Sequence, residues 1–113
     1  MTKSATNREI VILGVLMNGD RYGRDIRNEY QKRTNTSLPT GSLYTTLDRM
    51  EEKGLLKSYP GQPSRERSGR PRRYFKITAP GRRVFNESKS WAQNTFGLTM
   101  EFLGLTSRAR LGK

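Results

Sequence analysis

The side chains able to do chemistry in this sequence are arginines, lysines and small hydroxyls. Histidine and cysteine are absent. That excludes a disulfide scaffold, a thiolate or imidazole metal site, and catalysis by a cysteine or histidine. The 10 acidic residues are scattered, and the adjacent pair Glu51-Glu52 has basic neighbours. A small nuclease needs clustered carboxylates to hold Mg²⁺, so the sequence argues against an enzyme. No cofactor and no metal are expected. What the chain offers is charge: Lys and Arg total 22, for a formal net charge of +12. From Lys57 to Arg83 the basic residues Lys57, Arg65, Arg67, Arg70, Arg72, Arg73, Lys76, Arg82 and Arg83 face one acid, Glu66. Such a run displaces condensed counterions from a nucleic acid. The plainer alternative is a highly charged, soluble surface.

The hydroxyls gather elsewhere. Leu43, Leu47 and Met50 stand at i, i+4 and i+7, which predicts one buried stripe of a helix over 39–53. Pro39 suits its first turn, and Lys53-Gly54 gives a basic end and a glycine stop. The opposite face carries Ser42, Thr45, Thr46 and Arg49, and the helix opens on Thr40-Gly41. A helix N-terminus offers unpaired N–H groups and a positive dipole end to phosphates. Ser and Thr can serve a phosphate or a base edge, and Arg49 a phosphate or a guanine. An ordinary amphipathic helix with a solvated outer face is the competing reading.

Other elements must hold these groups in place. Thr6-Asn7-Arg8-Glu9 fits a capping box before a helix that is apolar nearly all round, with Ile10, Leu13, Val15, Leu16 and Met17. Asn18-Gly19-Asp20 ends it. A second helix over 24–33 turns Ile26 and Tyr30 inward, and Thr34–Ser37 reads as a loop. Leu55–Tyr59 and Arg72–Ile77 read as short strands, joined by a long loop carrying Arg65, Arg67 and Arg70. Those arginines cannot enter a core; they can lie along a phosphate backbone or in a minor groove. A disordered loop with incidental charge is the alternative there.

Thr78 is placed to cap a last helix with Pro80 in its first turn. Along it Val84, Trp91, Leu98 and Leu105 recur every seven residues, with Ser88, Thr95 and Phe102 four further on. A second stripe runs Phe85, Ala92, Phe96, Leu103. That is more apolar face than one small core needs, so a partner helix is implied. Gly97 is a plausible kink. The hydrophobic content of 32% also suits a core completed by another copy of the chain. The apolar run over 10–17 is too short to span a bilayer, so a cytoplasmic protein with no membrane contact is expected.

The fold class expected is mainly α with a small β-wing: a winged helix-turn-helix plus a C-terminal dimerisation helix. The expected divisions are a loose arm (1–5), the winged helix (6–77), a dimerisation helix (78–105) and a basic tail (106–113).

The segment Leu38-Pro39-Thr40-Gly41-Ser42-Leu43-Tyr44-Thr45-Thr46-Leu47-Asp48-Arg49-Met50-Glu51-Glu52-Lys53-Gly54-Leu55-Leu56 resembles the third helix of PadR-like regulators. Arg70-Pro71-Arg72-Arg73-Tyr74-Phe75-Lys76-Ile77-Thr78-Ala79-Pro80-Gly81 resembles that family's second wing strand and helix start, and Tyr22-Gly23 with Ile26 its second-helix opening. The resemblance implies a dimeric, sequence-specific transcriptional repressor on double-stranded DNA. Carried onto this chain, it assigns DNA contact to Ser42, Tyr44, Thr45 and Arg49 on the helix, and the helix N-terminus itself adds Thr40. On the wing it assigns Arg70, Arg72 and Arg73, and the charge of the loop adds Arg65 and Arg67. It gives dimerisation to the last helix, where the apolar recurrence offers Val84, Trp91, Leu98, Phe102 and Leu105. Some members of the short subfamily, which this chain resembles in length, sense aromatic small molecules in a dimer cavity, where Trp91 would sit; Trp91 as plain dimer core is the simpler alternative. An architectural or RNA-binding winged helix without promoter specificity is the other reading of the same features.

Overall fold

In the computed structural model, which describes residues 5–63 and 71–96, the order is α1 (Asn7–Leu16), β1 (Arg21–Tyr22), α2 (Gly23–Thr34), α3 (Thr40–Glu52), β2 (Leu56–Pro63), β3 (Pro71–Ile77) and α4 (Ala79–Phe96). The helices start where the local chemistry requires. Thr6 Oγ1 accepts from the Glu9 backbone N–H at 3.2 Å, and Glu9 Oε1 accepts from the Thr6 N–H at 3.0 Å, closing the capping box. Two orphan donors of the first turn are thereby satisfied. Thr78 caps α4 by accepting from the Gly81 N–H at 3.0 Å. Pro39 is the residue before α3 rather than its first turn, a shift of one position. α2 ends on Asn35 in the left-handed conformation (φ 56°), and Gly54 turns the chain out of α3 at φ 80°.

The winged-helix architecture expected from the sequence is present, with one addition. A third strand, β1, joins the wing, giving an antiparallel sheet in the order β1-β3-β2. Arg21 pairs with Phe75 and Tyr22 with Tyr74. Strand β2 also runs to Pro63, beyond the expected end at Tyr59. Its two prolines, Pro60 and Pro63, bracket a register shift against β3. Proline is tolerated there because β2 is an edge strand with its outer N–H groups unpaired in any case.

Side chains alternate across the sheet. Phe75, Ile77 and Leu56 face inward and meet Ile12, Leu13 and Leu16 of α1, Ile26 and Tyr30 of α2, and Leu43, Leu47 and Met50 of α3. All the stripe positions of α3 are fully buried. Thr46 departs from its expected place on the outer face: it is 5% exposed, and its hydroxyl donates to the Ser42 carbonyl at 2.9 Å. Satisfying that hydroxyl one turn back lets threonine stand in the core beside Leu47 and Met50. Phe85, of the second apolar stripe of the last helix, is fully buried in this chain's own core, and Val84 packs half-buried against that core. α1 and α3 are tied at their far ends by Lys53, whose ammonium reaches the buried Glu9 carboxylate at 2.8 Å.

Candidate nucleic-acid interface

The N-terminal half of α3 presents Thr40, Gly41 and Thr45 to solvent, with Ser42 half-buried among them. Arg49 is exposed one turn further on. The C-terminal half of the same helix is acidic: Asp48 and Glu52 are exposed and Glu51 is half-buried. A polyanion approaching α3 therefore meets its neutral, dipole-positive end favourably and its acidic end unfavourably.

Tyr44 packs its ring between two elements. It lies 6.5 Å from the Phe75 ring, and its hydroxyl end lies against Gly23 so closely that a β-carbon on Gly23 would overlap it. This is why α2 opens on glycine. The ring is thus core-like along its length while its tip lines a groove, so both readings of this residue hold in part.

That groove, about 490 Å³, is bounded by Thr40, Leu43 and Tyr44 of α3, Arg24 and Arg27 of α2, Tyr22 of β1, and Arg72 and Arg73 of β3. Four arginines thus line the groove beside the opening turn of α3. Arg27 is positioned from below, its Nε donating to the Leu38 carbonyl at 2.6 Å. Arg72 lies over the Tyr22 ring at 4.5 Å, a cation–π geometry. Its Nε is buried with no hydrogen-bond partner among the described residues.

Arg73 is placed differently. Its guanidinium reaches Glu51 at 3.1 Å and Asp48 at 3.5 Å, and lies 5.0 Å above the Phe75 ring. Glu51 in turn accepts from the backbone N–H of Ser58 at 3.2 Å and from its hydroxyl at 3.0 Å. These contacts bind β2 and β3 to α3. Of the residues assigned from sequence, the structure brings Thr40, Tyr44, Arg72 and Arg73 around one groove and leaves Thr45 and Arg49 on the helix face beside it. Arg65, Arg67, Arg70, Leu98, Phe102 and Leu105 lie outside the described residues, as do the side chain of Trp91 and the arm and tail at 1–4 and 97–113. Sequence reasoning missed Arg24 and Arg27. Their signal was only a basic α2 surface, which alone reads as a solvated helix face.

Helices α2 and α3 joined by a short turn, followed by a β-hairpin, with cations massed where the second of them begins, define a winged helix-turn-helix. Comparison with known proteins narrows the class. The model of the transcriptional regulator PadR-like family matches residues 12–87, and the chain belongs to that family. An uncharacterised protein of Lysinibacillus sphaericus is 35% identical over 86 residues, 74% of this chain and 76% of the relative. Among solved structures, a PadR family transcription regulator from a hypervirulent Clostridium difficile strain is 30% identical, with a TM-score of 0.71, covering 87% of this chain and 99% of that one. Bacillus subtilis PadR in complex with operator DNA is 17% identical, with a TM-score of 0.62 over 71% of this chain and 45% of that one, a likeness of fold. The chain is accordingly a winged-helix transcriptional regulator. Among the described residues no helix is long and apolar enough to cross a membrane, and no group of acids could hold a metal ion.

Proposed function

We propose that this chain is a sequence-specific, dimeric repressor that sets the opening turns of α3 into the major groove of duplex DNA. The wing follows the adjacent backbone or minor groove. The observation that carries this reading is the groove at the start of α3, where Arg24, Arg27 and Arg72 stand free of any ion pair among the described residues. The arginines supply affinity for phosphates; Thr40, Ser42, Thr45 and Arg49 are the groups within reach of base edges. That a protein of the same fold was solved on operator DNA supports it.

Selection of bound sequences from a random duplex pool tests the reading. The best selected site should be bound on the order of a thousandfold more tightly than random duplex at near-physiological salt. A ratio near unity would leave an architectural DNA binder in its place.

Two copies are needed for a two-fold operator. Phe85 is buried in the chain's own core and Val84 is half-buried against it, so the partner's contacts are proposed at Val84's open side and, beyond it, at Trp91, Leu98, Phe102 and Leu105. Trp91, the chain's one tryptophan, is also the residue proposed for an aromatic effector. Light scattering at micromolar concentration should return twice the 13.0 kDa chain mass. A monomer would remove the dimer from the proposal.

A further inference from the structure

The outer face of the sheet, opposite the core, carries groups beyond those assigned to the duplex, Tyr59, Tyr74, Lys57 and Lys76 among them. Tyr22, Tyr74 and Tyr59 are cross-strand partners, one on each strand. They form an aromatic row across the whole sheet, with ring centroids 5.8 Å apart at both steps. Tyr59 stacks on Tyr74 at an interplanar angle of 21° and leans back over β3 to donate its hydroxyl to Asp20 at 2.5 Å. That bond pushes the Tyr59 hydroxyl above its usual pKa, so it remains a donor through the neutral range. Tyr59 is nevertheless 39% exposed, and no other large hydrophobic side chain among the described residues is classed with it as exposed. Both ends of the side chain are fixed while its surface stays open, which removes the entropy cost of ordering it on a ligand.

Cations flank the row. Arg72 lies on one side, over Tyr22. On the other, Lys57 and Lys76 are direct cross-strand partners and line a cleft of about 460 Å³ with Arg82 and the first turn of α4. Like charges directly opposed in a sheet are unfavourable, and among the described residues Lys57, Lys76 and Arg82 form no ion pair. Asp20, the carboxylate that reaches this face, is engaged by Tyr59. The row is also continuous with the groove at α3, since Tyr22 and Arg72 belong to both.

We infer that this face binds single-stranded nucleic acid, with bases stacking on Tyr59 and Tyr74 and phosphates on Lys57, Lys76 and Arg82. Bases within a duplex are stacked on one another and offer no free faces to these rings; an unpaired strand does, and aromatic platforms between cations accept it with little regard to sequence. An acidic protein segment would satisfy the cations but leave the tyrosines without a role.

The test is fluorescence anisotropy of the full chain with short labelled oligothymidine and oligouridine, an abasic strand of equal length and charge, and a selected duplex. Tyr59→Leu should weaken binding of oligothymidine, oligouridine or both about tenfold, the scale of one lost stack, with duplex affinity changed less than about twofold. Tyr59→Phe, which loses only the Asp20 anchor, should keep most of the affinity. Circular dichroism melting of each variant confirms the fold. Equal binding of the abasic strand, insensitivity to Tyr59→Leu, or equal competition by a polyglutamate peptide would overturn the inference. Since the selected duplex is measured in the same variants, loss of single-strand binding with duplex binding intact leaves the repressor reading standing, and the reverse outcome separates them equally well.

Discussion

Arg72→Ala is expected to weaken binding to every duplex about ten- to a hundredfold, selected and random alike, because a charge-assisted hydrogen bond is worth about 1.5–3 kcal/mol. The same change should flatten the dependence of log affinity on log salt by about one unit, as one phosphate contact is lost. The Arg72 guanidinium forms no ion pair among the described residues, so what the folded protein loses with it is the cation–π contact with Tyr22, about 0.5–1 kcal/mol at an exposed site. Arg73→Ala should behave otherwise. Arg73 is bound to Glu51 and Asp48, so its charge is largely answered before DNA arrives. Removing it frees two carboxylates beside the recognition surface and loosens the wing. Its affinity loss should therefore come with little change in salt slope and a measurable fall in unfolding temperature. Equal salt slopes for the two variants would show that this division between a phosphate ligand and a strap is wrong.

The largest effect on stability is expected at Glu9. The residue is 1% exposed, and one oxygen, Oε1, serves both the Thr6 N–H and the Lys53 ammonium. Glu9→Ala removes half of the capping box, worth about 1 kcal/mol, and also the buried carboxylate that pairs with Lys53, a change that for buried pairs costs about 3–5 kcal/mol. Lys53 is 27% exposed and can turn toward water, so the lower part of that range applies: a total of roughly 3–4 kcal/mol in chemical denaturation. The variant Glu9→Ala with Lys53→Met should recover part of the loss, since both members of the Glu9–Lys53 pair are then replaced together. A Glu9→Ala loss below about 1 kcal/mol would mean that the cap alone matters.

How much was legible in the sequence follows the range of each interaction. The Thr6–Glu9 box, the Leu43-Leu47-Met50 stripe and the Thr78 cap are local patterns spanning a turn or two, and each appears where its spacing placed it. Strand β1 was missed because two residues carry no alternation; only pairing with Tyr74 and Phe75, more than fifty positions away, makes it a strand. Thr46 looked like surface because its type is polar, whereas its hydroxyl is satisfied within its own helix. Arg24 and Arg27 could not be told from any solvated helix surface until the sheet brought Arg72 across from them. Arg73 adds contacts the sequence did not signal: its guanidinium also meets carboxylates 22 and 25 residues back along the chain. Apart from Thr46, the deciding partners were remote in sequence.

The strap of Arg73, Glu51 and Ser58 also bears on how an operator is chosen. With the wing hydrogen-bonded to the helix proposed to enter the major groove, the two cannot adjust their spacing independently. A duplex must present both surfaces at the separation the protein dictates, and the compliance has to come from the nucleic acid. Base steps that bend or change groove width cheaply would then be favoured between the touched positions, although no side chain reaches them. Part of the recognition code would be written in the stiffness of DNA that the protein never contacts.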